Sequence, residues 1–178
     1  MNSKHFTISI LLAALSVGCA SVNTTPLVSA PEKLKAPAEQ NFAFDLSATG
    51  VQIYSCKPSK ADSNKFEWTF VAPEAELFNR DTTKAGKHYA GPSWEALDGS
   101  KVVAEVTGRA DSPEANAIPW LLLTSKATTG VGIFSNVKSI QRVATVEGKA
   151  PASGCDAGTA GKELRVPYQA RYNFFVAK

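Results

Sequence analysis

The sequence predicts an all-β domain, either an antiparallel β-sandwich or a partly closed barrel, with roughly seven to nine strands and at most one short helix. Three observations lead there. Period-two alternation of apolar and polar residues recurs in separate stretches between Asn41 and the end of the chain, the spacing of strands with one face on a core and one in water. Between these stretches no helical pattern runs long enough for a crossover, which excludes a doubly wound parallel sheet. Residues 41–178 are also a comfortable length for a single domain with its own core.

Residues 1–19 read as a signal peptide. Lys4 supplies a positive start, and residues 6–17 form an apolar run shorter than the about 20 residues that cross a bilayer. Small residues suited to cleavage follow it. Ser16-Val17-Gly18-Cys19 resembles a bacterial lipobox, with Ser16 where leucine is usual. Cys19 is therefore the candidate lipidation site, and its lipid would be the protein's contact with the membrane. Gly18-Cys19-Ala20 equally fits ordinary signal cleavage. No aspartate follows Cys19, so an outer-membrane lipoprotein is expected, with a periplasmic or secreted protein as the alternative. Residues 20–40 carry Pro26, Pro31 and Pro37 among Ser, Thr and Ala, and read as a disordered tether. Helical spacing shows only weakly around Glu32 and Leu34.

The domain elements follow in order. Phe42, Phe44 and Leu46 alternate with polar or small residues, and Val51 and Ile53 with Gln52 and Tyr54. Phe66, Trp68 and Phe70 form the next apolar face. Residues 73–79, PEAELFN, invite the one short helix, with proline leading and acids in the first turn. Val102, Ala104 and Val106 share a face. Ile118 to Leu123, IPWLLL, reads as a strand buried on both sides, with Pro119 near its start. Residues 136–147 shift parity between Val137 and Ile140, the mark of a bulge. Val166, Tyr168, Ala170, Tyr172, Phe174 and Val176 close the chain as one face, against Gln169, Arg171 and Asn173.

Apolar residues make up 44% and charged residues 20% of the chain, values of a soluble globular protein. Without residues 1–19 the balance is eighteen basic against sixteen acidic residues. The basic residues are scattered, which argues against a nucleic-acid partner. With Cys19 taken by lipid or lost, Cys56 and Cys155 remain as a pair in an oxidising compartment, and a disulfide is expected. It would pin residues 148–162, a stretch too rich in Gly, Ala and Pro to order itself.

Residues 86–100, GKHYAGPSWEALDGS, hold the best candidates for a site. His88 is the only histidine beyond the signal segment. It suits a general base with Glu95 or Asp98, or a metal ligand. A zinc or copper site needs three or four ligands, so no metal and no cofactor are assigned. Ser93 lacks the G-x-S-x-G elbow of a serine hydrolase, and Asp98-Gly99 reads as a turn. Trp94, with Tyr89 beside it, is placed at a pocket mouth, where aromatic rings stack on sugars or cover apolar ligands. Trp68 and Trp120 read as core. Arg142 is expected to face inward beside Ile140, where it needs a partner such as Asp98 or Asp156.

Seven segments taken together, GVQIYSC, EWTFVAPEAELF, GKHYAGPSWEALDGS, IPWLLL, IQRVATVEGKAP, GCD and VPYQARYNFF, resemble the secreted bacterial and fungal proteins of domain of unknown function 3455. The resemblance spans about residues 50–175 and departs at Val146-Glu147-Gly148, where a Gly-Gly pair is more usual. It implies little chemistry. A malate dehydrogenase label on some fungal relatives finds no support here, since Gly130-Val131-Gly132 leads into a strand rather than opening a helix. The expected function is a noncatalytic binding module for a small apolar or glycan ligand, with His88, Tyr89, Trp94 and Asp98 as the pocket. The alternatives are an envelope hydrolase using His88 with Glu95 or Asp98, and a structural or interaction protein without a pocket.

Overall fold

The computed structural model describes Pro26 and residues 28–178. The expected signal peptide, Cys19 and the first part of the expected tether lie outside the described residues. Eight strands follow in chain order: β1 (Gln40–Pro58), β2 (Phe66–Phe78), β3 (Lys84–Tyr89), β4 (Ser93–Ala96), β5 (Lys101–Ala110), β6 (Trp120–Thr129), β7 (Val137–Glu147) and β8 (Glu163–Ala177). Each is antiparallel to the next, and β8 returns to β1, so one sheet closes as a barrel. This decides between the two expected architectures. The closing seam is long, running from Gln40 opposite Ala177 to Ser55 opposite Glu163.

Local pattern explains most of the walls. On β8, Tyr168, Ala170, Tyr172 and Phe174 are buried, the face that alternation assigns to the core. The expected bulge in β7 lies between Val137 and Ser139. The turn at Asp98-Gly99 joins β4 to β5, and Gly99 takes φ +84°, a conformation that favours glycine. The disulfide Cys56–Cys155 links the end of β1 to the loop before β8.

Three expectations are corrected. Residues 73–78 are strand rather than helix, and Asn79 follows the strand end. Pro73, Ala75 and Leu77 alternate with Glu74 and Glu76, and pairing with β1 on one side and β3 on the other prevails over the helix-start signals. Pro73 sits beyond the last pair with β3, Ala75 opposite His88, a position where a missing N–H is tolerated. The buried face of β1 is Leu46, Ala48, Gln52, Tyr54 and Cys56, not Val51 and Ile53. Polar side chains thus enter the lumen. Third, Trp94 is fully buried, while Trp68 and Trp120 are only half-buried.

The stretch ahead of β1 packs along the outside of the barrel. A 3-10 turn at Glu32–Leu34 buries Leu34 completely. Gln141 Nε2 donates to the Leu34 carbonyl at 2.7 Å, and Asn173 Nδ2 donates to the Val28 carbonyl at 3.1 Å. A side chain at Gly108 would meet Leu34 at 3.1 Å, so glycine there makes room for the strap. This cover accounts for the apolar run of β6: Leu121 and Leu123 face inward, and Leu122 lies beneath the strap. It also accounts for Asn173, which alternation alone sends to water but which is fully buried.

Candidate functional site

The barrel wall is uneven. β3 and β4 have six and four residues, whereas β1 and β2 have nineteen and thirteen. Pairing of β2 with β3 ends at Ala75–His88, and pairing of β4 with β5 ends at Ser93–Val103. Beyond those points β2 and β5 stand apart and leave a notch in the wall. A bulge beside it sets Tyr54 opposite Phe70 and Ile53 opposite Ala72, with Val71 as the extra residue. Phe70, Val71 and Val106 rim the notch and are 50%, 52% and 52% exposed.

Two adjoining chambers lie behind the rim. One, about 330 Å³, is walled by His88, Trp94, Leu121, Leu123 and Tyr172, with the Ala90–Pro92 turn at its edge. The other, about 570 Å³, is walled by Gln52, Tyr54, Ile118, Arg109 and Lys149. They share Phe70, Val106, Leu121 and Arg142. The opposite end of the barrel is plugged. Asp98 accepts from the Ile133 N–H at 2.8 Å, and Ser100 Oγ accepts from the Phe134 N–H at 3.1 Å, which seats the fully buried Phe134 ring beside Phe44 and Phe174.

The expected site residues separate. His88 and Trp94 do come together: their rings stack at 4.3 Å, and Tyr172 meets both edge-on at 5.0 and 5.3 Å. Tyr89, one residue along β3, faces outward and donates its hydroxyl to Glu95 at 2.7 Å, with Lys87 and Lys101 over its ring. Asp98 is committed to the β4–β5 turn, accepting from both the N–H and the hydroxyl of Ser100. Those bonds, led by the hydroxyl, hold its carboxyl below the usual range. Neither acid is a partner of His88.

His88 Nδ1 lies 2.9 Å from the Ser93 carbonyl. A carbonyl only accepts, so Nδ1 carries the proton and Nε2 is left as an acceptor. The Ser93 hydroxyl is not part of that bond, and no Ser-His-acid relay forms. Burial drives the His88 pKa down to about 3, partly offset by the Ser93 carbonyl, with nearby Arg142 pushing the same way as burial. The ring is thus a neutral wall element at neutral pH. Among the described residues, no group of three or more His, Cys, Asp or Glu side chains is placed to hold a metal ion.

Arg142 is the residue that alternation flagged but did not interpret. Its expected partners, Asp98 and Asp156, are elsewhere. Instead Nε and Nη2 donate to the Pro119 carbonyl at 3.0 and 2.8 Å. No carboxylate forms a salt bridge with it among the described residues, and both chambers border it. Sequence reasoning put Phe70, Val106 and Tyr172 on inward faces without assigning them to a site; the space beside them depends on the short β3 and β4. A wider outer depression, about 800 Å³, is crossed by the pairs Lys84–Glu76, Lys87–Glu95 and Arg165–Glu74. It is a charge-paired, solvated surface.

A family model described as "Protein of unknown function (DUF3455)" matches residues 37–176. No curated protein and no solved structure matches the chain.

Proposed function

The chain belongs to the DUF3455 family, whose function is unknown, and from that premise we propose a noncatalytic binding module that admits a small apolar ligand to the barrel through the notch. The observation that carries this reading is the exposed apolar rim of Phe70, Val71 and Val106 in front of two chambers. Exposed apolar groups that cluster at a concave opening mark ligand or partner sites. Eight-stranded barrels are wide enough to hold one small ligand. The first chamber is walled chiefly by rings and leucines, which favours an apolar ligand over a glycan. His88, neutral and without an acidic partner, supports binding rather than turnover.

The test is a titration with the neutral fluorophore N-phenyl-1-naphthylamine. The wild-type protein is expected to bind it with enhanced emission. Val106→Trp, which fills the notch from its rim, is expected to weaken binding by more than about tenfold, a change of about 1.4 kcal/mol, with the far-ultraviolet spectrum unchanged. No binding to the wild-type protein, or equal binding by the folded variant, overturns the reading.

The same reading places the barrel at the cell envelope. The Cys56–Cys155 bridge is at home in an oxidising compartment, and Cys19 would carry the lipid that anchors it in the outer membrane. Palmitate incorporation in a bacterial expression host should disappear in Cys19→Ser; label retained by that variant refutes the anchor.

A further inference from the structure

The walls of the lumen carry hydrogen-bond donors but, among the described residues, no carboxylate. Trp94 Nε1 is a buried N–H donor with no acceptor among the described residues. The buried Gln52 amide, Tyr168 hydroxyl and Tyr172 hydroxyl are engaged with one another and with Arg142 in one polar chain that holds no carboxylate. Burial raises both phenol pKa values, so both keep their protons. A buried donor left unpaired costs a folded protein free energy, and Trp94 Nε1, on the wall of the first chamber, calls for an acceptor there.

Charge points the same way. Arg142 borders both chambers, and Arg109 and Lys149 line the second. No Asp or Glu among the described residues lines either one. The acids that might have balanced Arg142 are engaged elsewhere: Asp45 with Arg80 and Arg171, Glu95 with Lys87, and Asp98 in its turn. A guanidinium held by a carbonyl and a phenol hydroxyl, with no carboxylate, retains its full charge, and its planar fork matches a carboxylate.

On the reading that the lumen is a ligand site, we propose that it selects an amphiphilic carboxylate. The carboxylate meets Arg142 and the Tyr172 hydroxyl, and the apolar body lies against Trp94, Leu121, Leu123 and Val106. Gln52 and the second chamber's cations face the same head group from the other side.

The experiment is displacement of bound N-phenyl-1-naphthylamine by dodecanoic acid and by dodecan-1-ol, which differ only at the head. The wild-type protein is expected to prefer the acid by about tenfold or more, the scale of a charged hydrogen bond. Arg142→Met should remove that preference, and Arg142→Lys should retain part of it. Equal displacement by acid and alcohol in the wild-type protein overturns the carboxylate inference while leaving the lumen reading intact. Failure of both to compete, with the fluorophore still bound, overturns it as well. Failure of the fluorophore itself to bind overturns the lumen reading on which the inference rests. Because the acid–alcohol comparison uses the wild-type protein, the result stands even where an Arg142 variant does not fold.

Discussion

Removing the Cys56–Cys155 bridge lowers the stability of the barrel by about 4–5 kcal/mol in the chain-entropy account of a loop of this size. The two cysteines are 99 residues apart in sequence, so the intact bridge restricts a large part of the unfolded ensemble. The folded state is also affected. Loop 148–162 is held near β1 by the bridge, by backbone bonds from Cys56 N–H to the Lys162 carbonyl and from Gly161 N–H to the Cys56 carbonyl, and by Trp68 Nε1 donating to Ser153. Its first residues form part of the second chamber: Lys149 and Ala150 line it, and Tyr54 donates to the Gly148 carbonyl at 2.6 Å. Urea unfolding of the oxidised protein and of a Cys56→Ala, Cys155→Ala double variant measures the effect. The variant should unfold at lower urea, and amide exchange should quicken across residues 148–162. Equal midpoints would show that the bridge contributes nothing to stability.

Acid destabilises the protein through His88 by a comparable amount. In the folded state this ring titrates at about 3 because it is buried against Trp94 and Tyr172. In an unfolded chain it titrates near 6.5. Above that pH both states carry a neutral ring and His88 adds no pH dependence. As pH falls from about 6.5 towards 3, the unfolded chain takes up a proton that the folded chain refuses, so stability drops by up to about 1.4 kcal/mol per pH unit. Below about 3 both states are protonated and the slope from this group ends. Unfolding free energies measured from pH 7 to pH 4 should fall more steeply for the wild-type protein than for His88→Gln, which lacks the titrating ring. Carboxylates contribute equally to both curves. Parallel curves would mean that the ring is not held neutral by burial.

Much of the wall was legible in the sequence because a strand's inward and outward faces are a local property. The alternation of β8, the parity shift in β7 and the Asp98-Gly99 turn all follow from neighbours one to three residues apart. The disulfide was legible by elimination, since only two cysteines remain beyond Cys19. Residues 73–79 were misread because a leading proline and early acids are also local signals, and they point to a helix. The pairing with β1 and β3 that holds this segment as strand comes from residues far away in the chain. Trp94 was misplaced for a related reason. A four-residue strand flanked by turns looks like a loop until strands on both sides pair with it and bury its indole.

The site was legible only in part. Clustering of His88 with Trp94 carried through, because facing strands set them opposite each other in a short hairpin. Tyr89 and Asp98 were grouped with them by proximity in sequence, but period-two geometry turns Tyr89 to the outer face and the turn claims Asp98. Arg142, Gln52 and Tyr172 come from β7, β1 and β8, and nothing local relates them.

By itself, the sequence determined an all-β domain, the core-facing residues of β8 and of the first half of β5, its disulfide and its family. These depend on side-chain alternation, on composition and on segments read in order. The tertiary structure decided that the sheet closes as a barrel, that β3 and β4 stop short to leave a notch, and that Arg142 sits between two chambers behind it. Those are properties of pairing between distant strands, whose register fixes which inward residues share a cavity and how much space is left between them.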